Sequence, residues 1–192
     1  MRIIAGSKRG MKLLSPKTGI SRPIADRVKE SLFSVLYNYG LPDGKIVADL
    51  FCGVGSLGLE ALSRAALFVT FVEQDAGIVK ILNRNIEKAR FAKESKVITA
   101  NAFSVGAPPG FDRRCYELVF VDPPYACTLE AAAGSQLSGL LNRLSEQVVP
   151  EGFVLVRTHR RTNLLEHYGW FQTIERRQWG NTAITILQQV KK

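Results

Sequence analysis

The 192-residue sequence has few side chains that bind metals or form disulfides. It contains two histidines and three cysteines, Cys52, Cys115 and Cys127, and no C-x-x-C pair. This set does not suit a structural zinc site, and it predicts reduced thiols in a protein without a metal. The sequence also lacks a signal peptide and an apolar run of the roughly 18 residues that a membrane span needs. We therefore expect a cytoplasmic protein that binds no membrane.

Acidic side chains are absent from the first 22 residues, although the whole chain carries a net charge of +9. A segment with charge of one sign is typical of proteins that bind a polyanion, most often a nucleic acid. The length and the 46% hydrophobic content fit one buried core, so we predict a basic arm over residues 1–22 and a single domain over residues 23–192. The basic residues of the arm are Arg2, Lys8, Arg9, Lys12, Lys17 and Arg22.

Short apolar runs alternate with helical patterns along most of the chain. They predict strands at 45–50, 67–72, 96–100, 116–121 and 152–158, an order typical of a doubly wound α/β sheet. Two further runs, 171–176 and 183–190, have a connection too short for a crossover, so they predict an antiparallel pair at the edge of the sheet. Residues 1–5 and 11–14 predict an N-terminal β-hairpin with Lys8 and Arg9 at its tip. Helices are predicted from Pro23 to Tyr39 and over residues 57–64, 76–92 and 129–148.

A glycine-rich turn follows the first of these strands. Gly53, Gly55 and Gly58 match the pattern G-x-G-x-x-G between a predicted strand and a predicted helix, and Glu73 lies twenty residues beyond Gly53. This context predicts a cofactor that contains adenosine, with the Glu73 carboxylate on the ribose hydroxyls. The carboxylate of Asp49 would repel a pyrophosphate but attract an ammonium or a sulfonium group. S-adenosylmethionine carries both groups, so it is the predicted cofactor.

The strand at 116–121 ends abruptly in the tetrapeptide Asp122-Pro123-Pro124-Tyr125. Two prolines stop the strand and remove two N–H donors, which leaves the Asp122 carboxylate and the Pro123 carbonyl as neighbouring acceptors. Such a pair suits the two hydrogens of an amino group, and the Tyr125 ring could stack on the base that carries the amine. The tetrapeptide therefore predicts a site for an aminated heterocycle, with an ordinary turn as the alternative interpretation.

These motifs, together with residues 22–33 (RPIADRVKESLF), resemble the bacterial small-subunit ribosomal RNA guanine-N2 methyltransferases of the RsmD type. The resemblance covers essentially the whole chain, including residues 1–6 and the turn Trp179-Gly180-Asn181-Thr182. It implies a seven-stranded, mostly parallel Rossmann-like methyltransferase sheet, S-adenosylmethionine as methyl donor, and a guanine of 16S ribosomal RNA as acceptor. It also suggests the assembled small ribosomal subunit as the substrate, while a monomer is our default expectation.

The expected site residues fall into three groups. The catalytic residues are Asp122, Pro123 and Tyr125. The cofactor contacts are Asp49, Phe51, Gly53, Gly55, Glu73, Asn101 and Ala102. The RNA contacts are Arg2, Lys8, Arg9, Lys12, Arg22 and Arg27. Asn101 and Ala102 flank the adenine by resemblance alone, and the chain departs from the family pattern at Asn101, Ile24, Ala25 and Glu117.

Three other functions fit parts of this pattern. An adenine-N6 DNA methyltransferase would use the same tetrapeptide, but such enzymes usually carry an added target-recognition domain for which this chain has no room. An NAD-dependent dehydrogenase would share the glycines, but no substrate domain follows the cofactor unit. A non-catalytic RNA-binding protein would have no use for an intact tetrapeptide at 122–125. These three stay as alternatives to the RNA methyltransferase.

Overall fold

The computed structural model describes residues 1–16, 24–110, 112, 115–128 and 131–190. Its strands are β1 (Ile46–Leu50), β2 (Phe68–Glu73), β3 (Ser95–Thr99), β4 (Tyr116–Val121), β5 (Val148–His159), β6 (His167–Tyr168), β7 (Phe171–Trp179) and β8 (Thr182–Gln189). Its helices are α1 (Asp26–Asn38), α2 (Ser56–Ser63), α3 (Ala76–Ala89), α4 (Ala102–Val105) and α5 (Gln136–Leu144). Short 3₁₀ turns lie at Gly6–Lys8 and Tyr125–Thr128.

All eight strands form one mixed sheet with the order β3-β2-β1-β4-β5-β8-β7-β6. Strands β1 to β5 run parallel to one another, whereas β8 is antiparallel to both β5 and β7. The chain moves outward from β1 to β3 and then returns to place β4 on the other side of β1. This reversal makes the gap between β1 and β4 the switch point at which such sheets bind ligands. The predicted doubly wound sheet with an antiparallel edge is confirmed.

The central strand β4 is buried on both of its faces, which explains its continuous apolar sequence. Leu118 and Phe120 belong to the core that α1, α2 and α3 cover. Val119 and Val121 belong to the opposite core, which α5 covers. Two helical layers therefore hold the end of β4 in place, and Asp122 follows directly. No helix among the described residues is both long and apolar enough to cross a membrane.

The structure differs from the prediction in the number of strands, in the start of α5, in β5, which begins at Val148 instead of residue 152, and at the N-terminus. The sheet has eight strands instead of the expected seven. The additional strand, β6, pairs with β7, and with two residues it is too short to be recognised from a sequence pattern. Helix α5 begins only at Gln136, since the Ser135 side chain accepts the Ser138 N–H and caps the helix there. The N-terminal hairpin has no strand of regular length: its halves are joined by an antiparallel bridge between Arg2 and Lys12 and by backbone hydrogen bonds from Ile3 to Met11 and from Leu13 to Met1. Residues 129 and 130, and Pro23 of the predicted first helix, lie outside the described residues.

The N-terminal segment pairs with α2 and α3 more than with itself. The backbone N–H groups of Ile4 and Ala5 donate to the Glu60 carboxylate at 2.7 and 3.0 Å. Leu14 and the side chain of Asn85 in α3 exchange two hydrogen bonds, at 2.8 and 3.1 Å. These contacts hold the short hairpin of residues 1–14 against α2 and α3. The division of the chain at residue 22 stays a prediction.

A buried ion pair joins this segment to α1 and α2. The Nζ of Lys29 lies 3.3 Å from a Glu60 carboxylate oxygen, and both side chains are 0% exposed. Lys29 also donates to the Arg2 carbonyl at 2.7 Å and to the Ser56 hydroxyl at 3.2 Å, while Arg64 contacts Glu60 at 2.9 Å. Burial lowers the pKa of Lys29, and the neighbouring Glu60 charge opposes that shift. The N-terminal segment, α1 and α2 are thus tied together at one buried carboxylate.

Candidate active site

One cavity opens at the carboxyl ends of the parallel strands. It has a volume of about 820 Å³, which lies within the range of small-molecule sites. Asp49 near the end of β1, Glu73 at the end of β2 and Asp122 after β4 all line it. The structure therefore brings together the three carboxylates that the sequence placed at separate strand ends.

Asp49 is almost completely buried beneath the glycine-rich turn. Its Oδ2 accepts the N–H of Gly58, in the first turn of α2, at 2.8 Å. Burial raises the pKa of Asp49 to about 8, the hydrogen bond from Gly58 opposes this shift, and the charges of Asp122 and Glu73 add to it. A cation in the cavity would favour the charged form of Asp49, as an ammonium or sulfonium group would.

Glu73 connects the second strand to the glycine-rich turn. One carboxylate oxygen accepts the Gly53 N–H at 3.0 Å, and the other accepts the Asp75 N–H at 3.0 Å. These two bonds fix the orientation of the carboxylate at the cavity wall. Each oxygen has a second lone pair, so the group can still accept ribose hydroxyls.

The three glycines of the turn have different physical roles. A Cβ added to Gly55 would lie 2.6 Å from Leu82, and one added to Gly58 would lie 2.3 Å from the Phe71 ring. Both glycines are therefore needed for packing of the turn and helix. At Gly53, by contrast, a Cβ would meet no atom within 4 Å. Gly53 lines the cavity, so its missing side chain leaves room for a ligand.

The cofactor side of the cavity also has an aromatic wall. The rings of Phe51 and Phe103 lie 4.7 Å apart between centroids, and both line the cavity. Asn101 Oδ1 accepts the Phe103 N–H at 2.9 Å and caps α4, next to the buried Ala102. Sequence reasoning identified Asn101 and Ala102 but missed Phe103, although an aromatic residue two positions beyond Asn101 was a visible signal. The adenine contacts stay a prediction.

The acceptor loop lies on the opposite side of the cavity. Asp122, Pro123 and Tyr125 all line the cavity, and Tyr125 begins the 3₁₀ turn. The Tyr125 hydroxyl lies 2.8 Å from the Thr182 hydroxyl, and its ring meets the edge of the His159 ring at 5.8 Å. The Tyr125 ring is therefore held from two sides, as a stacking platform requires.

Arg157 in β5 is a site residue that sequence reasoning did not assign. Its Nε lies 2.6 Å from Asp122 Oδ1, and its guanidinium lies 5.9 Å from the centre of the Tyr125 ring. The two groups form a close ion pair. Burial raises the pKa of Asp122 to about 6, and Arg157 opposes that shift. The signal in the sequence was one arginine directly after an apolar run.

Comparison with known proteins identifies the family. A family model described as "Conserved hypothetical protein 95" matches residues 1–188. YlbH of Bacillus subtilis, provisionally assigned as an rRNA methyltransferase, is 30% identical over 191 residues, covering 98% of this chain and 99% of that protein. The ribosomal RNA small subunit methyltransferase D of Haemophilus influenzae is 34% identical over 171 residues, covering 88% of this chain and 84% of the relative. The chain belongs to this RsmD-type family.

A solved structure supports the assignment to the RsmD-type family along the full chain. The yhhF protein of Escherichia coli, provisionally assigned as a methyltransferase, superposes with a TM-score of 0.81 at 30% identity. The match covers 99% of this chain and 98% of that one. The structural similarity therefore extends over nearly the whole length of both chains.

In this RsmD-type protein, the basic residues predicted to bind RNA lie at two ends of the N-terminal segment. Arg2 follows Met1, which lines the cavity, and it pairs with Asp26 at 2.8 Å. Lys8 lies at the other end, where its N–H donates to Ser63, the last residue of α2. Helix α2 separates these ends by about 12 Å. The predicted hairpin tip is therefore not at the cavity.

The remaining RNA-binding residues divide in the same way. The backbone of Lys12 pairs with that of Arg2 in an isolated β-bridge, so Lys12 lies toward the cavity end of the segment. Arg27 is exposed in the first turn of α1, next to the Asp26 that pairs with Arg2. Arg9 is exposed beside Lys8. Arg22 lies outside the described residues. Among the residues that the structure describes, no three His, Cys, Asp or Glu side chains form a group that could hold a metal ion.

Proposed function

We propose that this protein transfers a methyl group from S-adenosylmethionine to the exocyclic N2 amine of a guanine in 16S ribosomal RNA. The observation that carries the proposal is that Glu73 and the acceptor loop at Asp122 open into the same cavity. A cofactor held at Glu73 would thus face an amine held at Asp122. The relative from Haemophilus influenzae is a ribosomal RNA small subunit methyltransferase by name.

The residues of the cavity fit S-adenosylmethionine, which supplies an electrophilic methyl group when bound. Gly53 leaves open space beside the Glu73 carboxylate, and Glu73 can accept the ribose hydroxyls. Phe51 and Phe103 provide an apolar wall for a flat ring. Burial raises the pKa of Asp49 to about 8, and a cationic ligand beside it would favour the charged form of this carboxyl.

The chain's contribution to the chemistry is positioning and electrostatics. The amine of guanine is a weak nucleophile because its lone pair is delocalised into the ring. Acceptors on both hydrogens help to localise that lone pair, and we assign this role to the Asp122 carboxylate and the Pro123 carbonyl. Tyr125 stacks the base so that the nitrogen faces the cofactor side of the cavity. The base must be unpaired to enter, which favours a guanine in a loop.

We further propose that the substrate is the assembled small subunit, that the protein acts as a monomer in the cytoplasm, and that no metal takes part. The three cysteines are free thiols, in keeping with a reducing compartment. The test is a methyl-transfer assay with labelled cofactor and four acceptors: 16S RNA, assembled small subunits, DNA and no nucleic acid. N2-methylguanosine in digested RNA is the expected product. N6-methyladenine in DNA, or no product, would contradict the proposal.

Glu73→Ala should weaken the binding of S-adenosylhomocysteine by roughly 10- to 100-fold, because hydrogen bonds to a charged acceptor are lost. The variant also removes the acceptor that fixes the Gly53 N–H. Titration calorimetry measures the affinity directly. Glu94→Ala, which removes an exposed carboxylate at the start of the β3 edge, is the matched control. Tight binding of NADH without a response to S-adenosylhomocysteine would refute the cofactor assignment.

Replacing Arg2 and Lys12 together by Ala should flatten the salt dependence of RNA binding by about 1.4 log units per tenfold salt, or roughly 0.7 for each phosphate contact to a single strand. These two side chains stand at the cavity end of the segment. The matched variant replaces Lys8 and Arg9, which stand at the other end, and it responds only if the RNA runs along the whole segment. Cofactor affinity should stay unchanged in both variants. If both variants show the wild-type salt dependence, the N-terminal segment does not contact the RNA phosphates.

A further inference from the structure

Arg157 and Asp122 are brought together by the register of two central strands. Strands β4 and β5 are parallel, and Val121 pairs with Val156. The next residue on each strand is therefore Asp122 on one and Arg157 on the other. Their side chains approach to 2.6 Å and are only 18% and 11% exposed. The strand register and the low exposure of both side chains therefore fix the pair in position.

The charges around this pair are mostly negative. The cavity is lined by four carboxylates, Asp49, Glu73, Asp75 and Asp122. Among its described lining residues, Arg157 is the only arginine or lysine. On the neighbouring elements, Lys29 of α1 acts on Asp49, and His159 of β5 packs against the Tyr125 ring. Arg157 is thus the cation in closest contact with the carboxylate of the acceptor loop.

A carboxyl group accepts the hydrogen of an amine well only in its charged form. A protonated Asp122 would present an O–H donor to the guanine amine, which is itself a donor. Burial favours that unproductive form, and a nearby cation favours the productive one. We infer that Arg157 is a positioning residue that keeps the Asp122 carboxylate charged and restricts its rotation, so that the carboxylate accepts a hydrogen from the substrate amine. This inference rests on the proposed methyl transfer.

The pKa of Asp122 determines the direction in which the pH dependence should move. Asp122 has a pKa of about 6, raised by burial and lowered by Arg157. Loss of an opposite charge at this distance raises a carboxyl pKa by roughly 1–3 units. The charged form is present above the pKa, so the acid limb of the rate profile should move to higher pH when Arg157 is replaced. The rate should then recover in alkaline buffer.

The first experiment compares the pH dependence of kcat in wild type, Arg157→Met and Arg157→Lys. We expect Arg157→Met to move the acid limb up by roughly 1–3 units, with little change in KM for RNA. Arg157→Lys keeps the charge, so it should retain the wild-type limb even if kcat falls. Arg161→Met changes an exposed arginine four residues away and should leave the limb in place. A uniform loss of rate at every pH in Arg157→Met would reduce Arg157 to a packing role and overturn the inference.

The second experiment is independent of methyl transfer. Titration of ¹³C-labelled aspartate by NMR, with the Asp122 signal assigned through Asp122→Asn, measures the ionisation of this carboxyl directly. The Asp122 transition should rise in Arg157→Met and return toward the wild-type value in Arg157→Lys. An unmoved transition would overturn the inference, as would a moved transition with an unmoved rate limb. A wild-type protein without methyl transfer would refute the proposed function, and the titration would still decide whether Arg157 sets the charge of Asp122.

Discussion

Asp122→Ala should lower kcat for methyl transfer by roughly 10²- to 10³-fold, the range seen when one preorganised polar contact to a transition state is removed. The affinity for S-adenosylhomocysteine should stay within a few fold. The reason is that the carboxylate contacts the amine mainly when the new bond forms, while Asp49 and Glu73 hold the cofactor side of the cavity. Single-turnover rates with saturating RNA, together with calorimetry, measure the two quantities separately.

The variant needs controls because it leaves Arg157 buried beside an apolar side chain. Asp122→Asn keeps the volume and one acceptor oxygen, and it should retain more activity than Asp122→Ala. Denaturant unfolding of both variants shows whether the sheet is intact. Asp43→Ala removes an exposed carboxylate before β1, at the opposite edge of the sheet, and should be fully active. Wild-type turnover in Asp122→Ala would be fatal to the proposed mechanism.

Glu60→Ala should lower the free energy of unfolding by roughly 3–5 kcal/mol, the usual cost of breaking a buried ion pair by removal of one partner. The substitution leaves Lys29 charged and fully buried, and it also removes the acceptor of two backbone N–H groups, Ile4 and Ala5. Urea unfolding followed by circular dichroism gives the free-energy difference. The loss should be among the largest of any single substitution in this protein.

Arg64→Ala is the matched control for this prediction. It removes the partly exposed partner of the same carboxylate, an i,i+4 pair on α2, and leaves the buried pair of Lys29 and Glu60 in place, so its cost should be clearly smaller than that of Glu60→Ala. The double variant Lys29→Met with Glu60→Leu removes both buried charges, so it should recover much of the stability lost in Glu60→Ala. Equal losses of unfolding free energy in Glu60→Ala and Arg64→Ala would contradict the prediction that the buried pair of Lys29 and Glu60 dominates the stability of this region.

The central part of the fold could be predicted because its signals are local. Strands β1, β2 and β4 carry continuous apolar runs, and glycines or prolines mark where β1 and β4 stop. The parallel order of these strands then places Asp49, Glu73 and Asp122 at one edge without further information. The cavity could thus be inferred from three short segments, each of which is interpretable alone.

The contacts that sequence reasoning missed depend on residues far apart in the chain. Lys29 lies beside the apolar stripe of α1 and looks like a solvated residue until Glu60 is placed opposite it. Arg157 follows an apolar run, and its role becomes visible only when the register of β4 and β5 is known. The N-terminal residues have strand-like sequences, but only some of their N–H groups pair within the hairpin, and those of Ile4 and Ala5 donate to Glu60 on α2. Local pattern does not contain these partners.

The docking of the N-terminal segment also has a consequence in time. Its hydrogen-bond partners on α2 and α3 are 55 to 76 residues further along the chain, ending with Lys88. At synthesis rates of about 5–20 residues per second, roughly 4–14 s separate the making of Leu14 from that of Asn85. During that interval the basic segment has no folded surface to bind. Residues 1–14 therefore cannot be fixed in place before α2 and α3 have been made and folded.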